Sequence, residues 1–114
     1  MALIYKIVPA VLWREAERAG TFAGSEVDRR DGFIHFSTAG QAAETAAKHF
    51  AGQHGLLLVS VDTTRLGARL KWEPSRGGAL FPHLHGALDL AAVTAITPLP
   101  LGDDGRHQFP PLTD

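Results

Sequence analysis

Two short windows carry the residues whose types and spacing could do chemistry. The first is Asp31-Gly32-Phe33-Ile34-His35-Phe36-Ser37-Thr38-Ala39-Gly40-Gln41. The second is Leu70-Lys71-Trp72-Glu73-Pro74-Ser75-Arg76-Gly77-Gly78-Ala79-Leu80-Phe81-Pro82-His83-Leu84-His85-Gly86. His35, His83 and His85, half of the six histidines, fall in them together with Glu73. Imidazoles and a carboxylate gathered at strand ends are what general acid–base work, or the binding of ribose and phosphate, requires. His35, Glu73 and His83 are therefore the candidate catalytic set. His35 would bind a hydroxyl or phosphate, Glu73 would act as base or ribose-orienting group, and His83 as acid or anion partner. Ser37, Thr38, Lys71, Trp72, Arg76, Phe81 and His85 are the candidate ligand-binding residues, with Trp72 and Phe81 as pocket wall and core.

Each residue also has a plainer reading. His35 could be a satisfied, half-buried histidine, since His is intermediate in burial. Thr38 and Gln41 fit a capping box, with Thr38 capping a helix and Gln41 reaching back. Lys71 and Glu73 could be a solvated ion pair worth little. Gly77-Gly78 lets backbone approach a ligand or simply makes a hairpin turn. Metal is the competing chemistry, because His35, His83, His85 and Glu73 could supply three or four ligands. No compact ligand motif is present, so no metal is assigned. His49, His54 and His107 read as surface residues.

The elements that must position these windows follow from pattern. Residues 3–8 are rich in β-branched types and read as a strand. Pro9 suits the first turn of a following helix, with Leu12, Ala16 and Ala19 on one side, Trp13 beside them and Gly20 as the stop. Residues 21–30 read as polar and irregular. Residues 33–36 form a short strand in which Ile34 and Phe36 face the core and His35 the other surface. A second helix presents Ala39, Ala42, Ala43, Ala46, Ala47 and Phe50 inward, with Gln41, Glu44, Thr45, Lys48 and His49 outward. Its N-terminus, beside His35, offers a seat for an anion or a ribose hydroxyl. Residues 56–61 are a buried central strand. Residues 69–73 and 80–85 flank the Gly77-Gly78 turn as paired or successive strands, and 88–93 and 94–99 add two more. The fold class is α+β: two early helices on a mainly antiparallel, split sheet.

The remaining bounds come from composition. The 114 residues allow one core, so 1–114 is read as a single domain whose segment 101–114 is a coil-like tail. A net charge of −1 argues against bulk nucleic-acid binding. The absence of cysteine excludes disulfides and a thiol nucleophile and fits a reducing compartment. No apolar run reaches membrane-span length, and the N-terminus has no secretory core followed by a cleavage site. The expectation is a cytoplasmic protein with a small-molecule partner, no membrane association, and an oligomeric state that sequence leaves open.

The stretches Asp31-Gly32-Phe33-Ile34-His35-Phe36-Ser37-Thr38, Lys71-Trp72-Glu73-Pro74 and Leu80-Phe81-Pro82-His83-Leu84-His85-Gly86, with Trp13, Ala16 and Gly20, resemble the small bacterial proteins of domain-of-unknown-function family 952. That resemblance implies the split antiparallel architecture of the ADP-ribosyltransferases. In such enzymes a strand histidine bonds the adenosine ribose and a glutamate orients the ribose or the attacking group. His35 matches that histidine by placement, and Glu73 is the candidate glutamate. NAD is the cofactor implied by this fold analogy alone. The histidine-class enzymes place paired tyrosines between those residues, whereas Tyr5, the only tyrosine, precedes both. The expected function is a transferase or hydrolase acting on a nucleotide or a ribose- or phosphate-bearing ligand. The alternatives are a non-catalytic ligand- or protein-binding module and a divalent-metal protein.

Overall fold

The computed structural model describes residues 2–114, apart from the side chain of Arg76. Arg76 of the expected ligand set thus lies outside the described side chains. In chain order the elements are β1 (Leu3–Pro9), α1 (Ala10–Ala19), β2 (Thr21–Phe22), α2 (Glu26–Asp31), β3 (Ile34–His35), α3 (Ala42–His49), β4 (Leu56–Asp62), β5 (Leu70–Ser75), β6 (Ala79–Leu84), β7 (Leu88–Asp89) and β8 (Val93–Leu99). The strands form sheets of order β1-β4-β8, β3-β6-β5 and β2-β7, and each of these pairings is antiparallel. The architecture is the expected α+β with a split sheet. Among the described residues the two larger sheets meet at a single bridge, where the Tyr5 and Ser37 backbones exchange two 2.8 Å hydrogen bonds.

β1 and β4 are buried on both faces, which is why they read as near-continuous apolar runs. Ile4 and Val8 join Trp13, Phe22, Ile34, Phe36, Val59 and Leu84 in one cluster, while Tyr5, Ile7, Leu58 and Leu99 join Ala46 in another. Phe109 and Leu112 of the C-terminal segment pack on the second cluster, and the Tyr5 hydroxyl donates to the Thr113 carbonyl at 2.5 Å. α1 buries Trp13 and Ala16 and ends on Gly20, whose φ of 83° is the left-handed stop that glycine adopts freely. Pro9 closes β1 and is the cap residue of α1, one position ahead of its first turn, and Ala19, expected on the inner side, is exposed.

Two expectations need larger correction. Residues 21–30 are not irregular: they hold β2 and most of α2, a six-residue helix opened by a reciprocal capping box between Ser25 and Asp28. α3 begins at Ala42 instead of Ala39, after a turn in which the Thr38 carbonyl accepts from Gln41 and Ala42. Gln41 reaches back to the Thr38 N–H at 3.0 Å as expected, but the cap position of α3 falls on Gln41, which makes no side-chain cap bond there. Ala42 and Ala46 face inward; Ala43 and Ala47 are exposed, and Thr45 is the half-buried neighbour in their place. Alanine is a strong helix former that tolerates either face, so an alanine-rich helix marks its own phase poorly. No helix among the described residues is long and apolar enough to cross a membrane.

Candidate functional site

Strand pairing assembles the histidines. β6 is the middle strand of its sheet, and His83 lies opposite His35 of β3 on one side and Lys71 of β5 on the other. Residues directly opposite share a face, so His35 and His83 project together, with ring centroids 5.3 Å apart. Ile34 and Leu84, one residue along, turn into the core at 2% and 0% exposure. Phe33 fills the space between the imidazoles: it stacks on His83 at 4.1 Å and lies 4.6 Å from His35 and 5.2 Å from His85.

Each histidine group is held by a carboxylate. Glu73 Oε1 accepts from His83 Nδ1 at 2.9 Å and from His85 Nε2 at 2.8 Å. Those hydrogen bonds, from His85 first and then His83, hold the Glu73 carboxyl below its ordinary range. Burial lowers the pKa of His83 from its ordinary 6.5, with the bond to Glu73 opposing. A neutral His83 donating through Nδ1 leaves Nε2 unprotonated, and that nitrogen is buried with no partner among the described residues.

The second carboxylate is one the sequence reading missed. Asp28 of α2 is 1% exposed. Its Oδ1 accepts from the His35 N–H at 3.1 Å and from His35 Nδ1 at 2.7 Å, and its Oδ2 accepts from the Ser25 N–H at 2.8 Å. Lys6 of β1, 7% exposed, grips both oxygens at 3.0 and 2.9 Å. Burial works against ionisation, yet the His35 bond and the Lys6 charge pull Asp28 well below the usual carboxylate range. Burial lowers Lys6, with Asp28 opposing. Gly24, at φ 105°, makes room for this carboxylate, since a Cβ there would lie 2.7 Å from that of Asp28. The other ring nitrogen of His35 faces Asp31 Oδ2 at 3.0 Å, so a protonated ring can donate to both carboxylates. Two signals could have found the missing pair. A lysine centred in an apolar strand requires a buried partner, and Ser25-x-x-Asp28 has capping-box spacing.

A groove of about 840 Å³ opens beside this array, lined by Lys6, Ser37, His35, Phe81 and His83 with Arg30, Asp31, Thr45 and His49. Ser37 is buried and shares a 2.8 Å hydrogen bond with the Thr45 hydroxyl. Of the expected residues with described side chains, Thr38, Lys71, Trp72, Glu73 and His85 do not line it. Lys71 is exposed, and Trp72, expected as pocket wall, stands 48% exposed on the opposite face of the hairpin because strand side chains alternate. The anion seat expected at the start of α3 is filled by the chain itself: Gln41 Oε1 takes the Thr38 N–H, and Asp114 Oδ1 takes that of Ala39 at 3.0 Å. Among the described residues no group of three or more His, Asp or Glu side chains is placed to hold a metal ion, so the metal reading gains no geometric support.

The fold and site define a small α+β protein with a carboxylate-braced histidine cluster at the junction of two antiparallel sheets. The chain belongs to the family described as Protein of unknown function (DUF952), whose sequence pattern matches residues 7–96. It is similar to protein CC0527 of Caulobacter crescentus, 51% identical to its crystal structure with a TM-score of 0.90 and 94% of each chain covered. The solution NMR structure of CC0527 matches at 52% identity and a TM-score of 0.85, covering 95% of this chain and 93% of that one. No curated protein sequence matches the chain.

Proposed function

We propose that this protein is a small transferase or hydrolase using His35 as its acid–base group on a nucleotide or another ribose- or phosphate-bearing ligand held in the groove. The observation that carries the reading is the buried Lys6–Asp28 pair behind His35. Burying an ion pair is a poor route to stability, because desolvation of both charges offsets their attraction. Here the pair's acceptor capacity is spent on fixing one imidazole at Nδ1 and at its own backbone N–H, turning Nε2 toward Asp31 at the groove. A carboxylate that orients a histidine for work at its second nitrogen is a recurring acid–base device, and here a ligand meets Nε2 by displacing the exposed Asp31. The split antiparallel architecture and the strand placement of His35 support the analogy to ADP-ribosyltransferases, and with it NAD as a trial ligand. Tyr5 does not replace the missing tyrosine pair, being 3% exposed and bonded to Thr113. The cysteine-free composition fits a cytoplasmic site of action.

The test is a thermal-shift screen with NAD, ADP-ribose, AMP and inorganic phosphate, followed by chromatography for released nicotinamide or phosphate. A ligand at ten times its Kd stabilises the native state by about 1.4 kcal/mol, a shift of roughly 5 °C for a domain of this size. At least one nucleotide should raise the melting temperature, and His35→Gln should abolish the shift while retaining the fold. Silence from all four ligands rejects the reading. Binding without turnover selects the non-catalytic module.

A further inference from the structure

We infer that His83 is the hydrogen-bond acceptor that selects a hydroxyl group on the groove's ligand, a specificity contact distinct from the acid–base work of His35. The inference rests on the functional reading above and deepens it. His83 is 97% buried by its 3% exposure, lines the groove, and is locked from behind: Nδ1 donates to Glu73 Oε1 at 2.9 Å, and Phe33 covers a ring face at 4.1 Å. Glu73 is itself tied to His85 at 2.8 Å, so the carboxylate cannot swing away without breaking a second bond. The proton is therefore on Nδ1 and the lone pair on Nε2, which no group among the described residues answers. An orphaned polar atom in a native site is a site for a ligand or catalysis more often than an accident.

Its neighbour is the opposite kind of group. Nδ1 of His35 is committed to the buried Asp28 at 2.7 Å. Asp31 faces Nε2 at 3.0 Å but is 37% exposed, so a ligand oxygen can take the place of Asp31 as acceptor and His35 serves it as a donor. The wall thus sets an acceptor imidazole beside a donor imidazole, 5.3 Å between centroids. A phosphate or carbonyl oxygen can answer the donor but has no hydrogen for His83. An ammonium can answer His83 but cannot accept from His35. An alcohol hydroxyl does both, and ribose presents such groups beside a phosphate. Phe81, on the same wall, offers an apolar surface for the rest of the ligand.

The experiment is long-range nitrogen–proton NMR of the histidines in uniformly labelled, full-length protein, titrated with AMP and with its 2′-deoxy and 3′-deoxy analogues. Free protein at neutral pH should show His83 protonated at Nδ1 and bare at Nε2. AMP should move the His83 Nε2 resonance together with those of His35. One deoxy analogue should still move His35 but leave His83 unmoved, and bind roughly three- to tenfold more weakly. In His83→Gln, or in His83→Phe should the first variant fold poorly, the ribo and deoxy ligands should bind within about twofold of each other. A His83 protonated at Nε2, a silent His83 when His35 reports a filled groove, or equal affinities for all three nucleotides overturns the inference and leaves the functional reading standing. If none of the three moves His35, the functional reading falls and this inference with it.

Discussion

At the residue scale, the site is organised by two buried or half-buried carboxylates that differ in partners. Asp28 has Lys6 as a full counter-charge, so removing either member strands the other in the core. Lys6→Met and Asp28→Asn should each cost roughly 3–5 kcal/mol in urea unfolding, with the double variant costing clearly less than the sum. Additive losses would mean that the two charges are not coupled. Glu73 has histidines, and its pH behaviour follows from them. The folded-state pKa of His83 lies below 6.5, so between that value and 6.5 the unfolded chain holds the extra proton. Stability therefore falls as pH drops through about 6.5. Glu73 is also lowered from its ordinary 4.5, so its contribution is present above 4.5 and is lost only as pH falls through its folded value. Thermal melts from about pH 7.5 to 3 should show both declines, and His83→Gln should remove the upper one while keeping the lower. An unchanged upper decline would assign it to another group.

At the element scale, legibility tracked hydrophobic contrast. β1, β4 and the β5–β6 pair announce themselves because their apolar residues alternate or run together between clear turn signals. From the clustering of polar, titratable residues in the two windows, His35 and His83 were expected to share a site, and their register in adjacent strands brings them together. α2 left no such trace. It is six residues long, five of them charged, and its buried residue is an aspartate, so a periodicity argument has nothing to detect. Half of the site was hidden with it, since Lys6 looks like a misplaced charge until Asp28 is found. α3 was legible as a helix and not in its phase, and this gives a direct comparison. Ala46, at 2% exposure, lies against Leu56 and Leu58, whereas Ala43 faces solvent. Ala46→Glu should cost several kcal/mol in denaturant melts, by forcing an unpaired charge inward, and Ala43→Glu should stay within about 0.5 kcal/mol of wild type. Equal effects would show that the helix buries a broader face.

At the scale of the whole molecule, the site sits where two sheets are joined by few bonds. The β1-β4-β8 sheet carries Lys6; the β3-β6-β5 sheet carries His35, His83 and Glu73; α2 supplies Asp28 between them. Backbone continuity across the junction is the Tyr5–Ser37 bridge, and side-chain continuity is the chain Lys6–Asp28–His35. The two sheets should therefore differ in local stability. β4 is paired on both sides and its residues 56–61 are buried, whereas β5 is an edge strand with Lys71, Trp72 and Pro74 exposed. Amide hydrogen exchange should find Leu58 and Val59 exchanging only through global unfolding. The amides of His35 and of β5 should open at lower free energy. The His35 amide is the sharper probe, because its hydrogen bond ends on the Asp28 side chain and not on a neighbouring strand. Asp28→Asn should reduce protection at His35 by more than at Val59, since only His35 loses its own acceptor charge in addition to the global loss. Equal reductions at the two amides would show that the sheets open as one unit and that the ion pair braces the whole fold instead of the site.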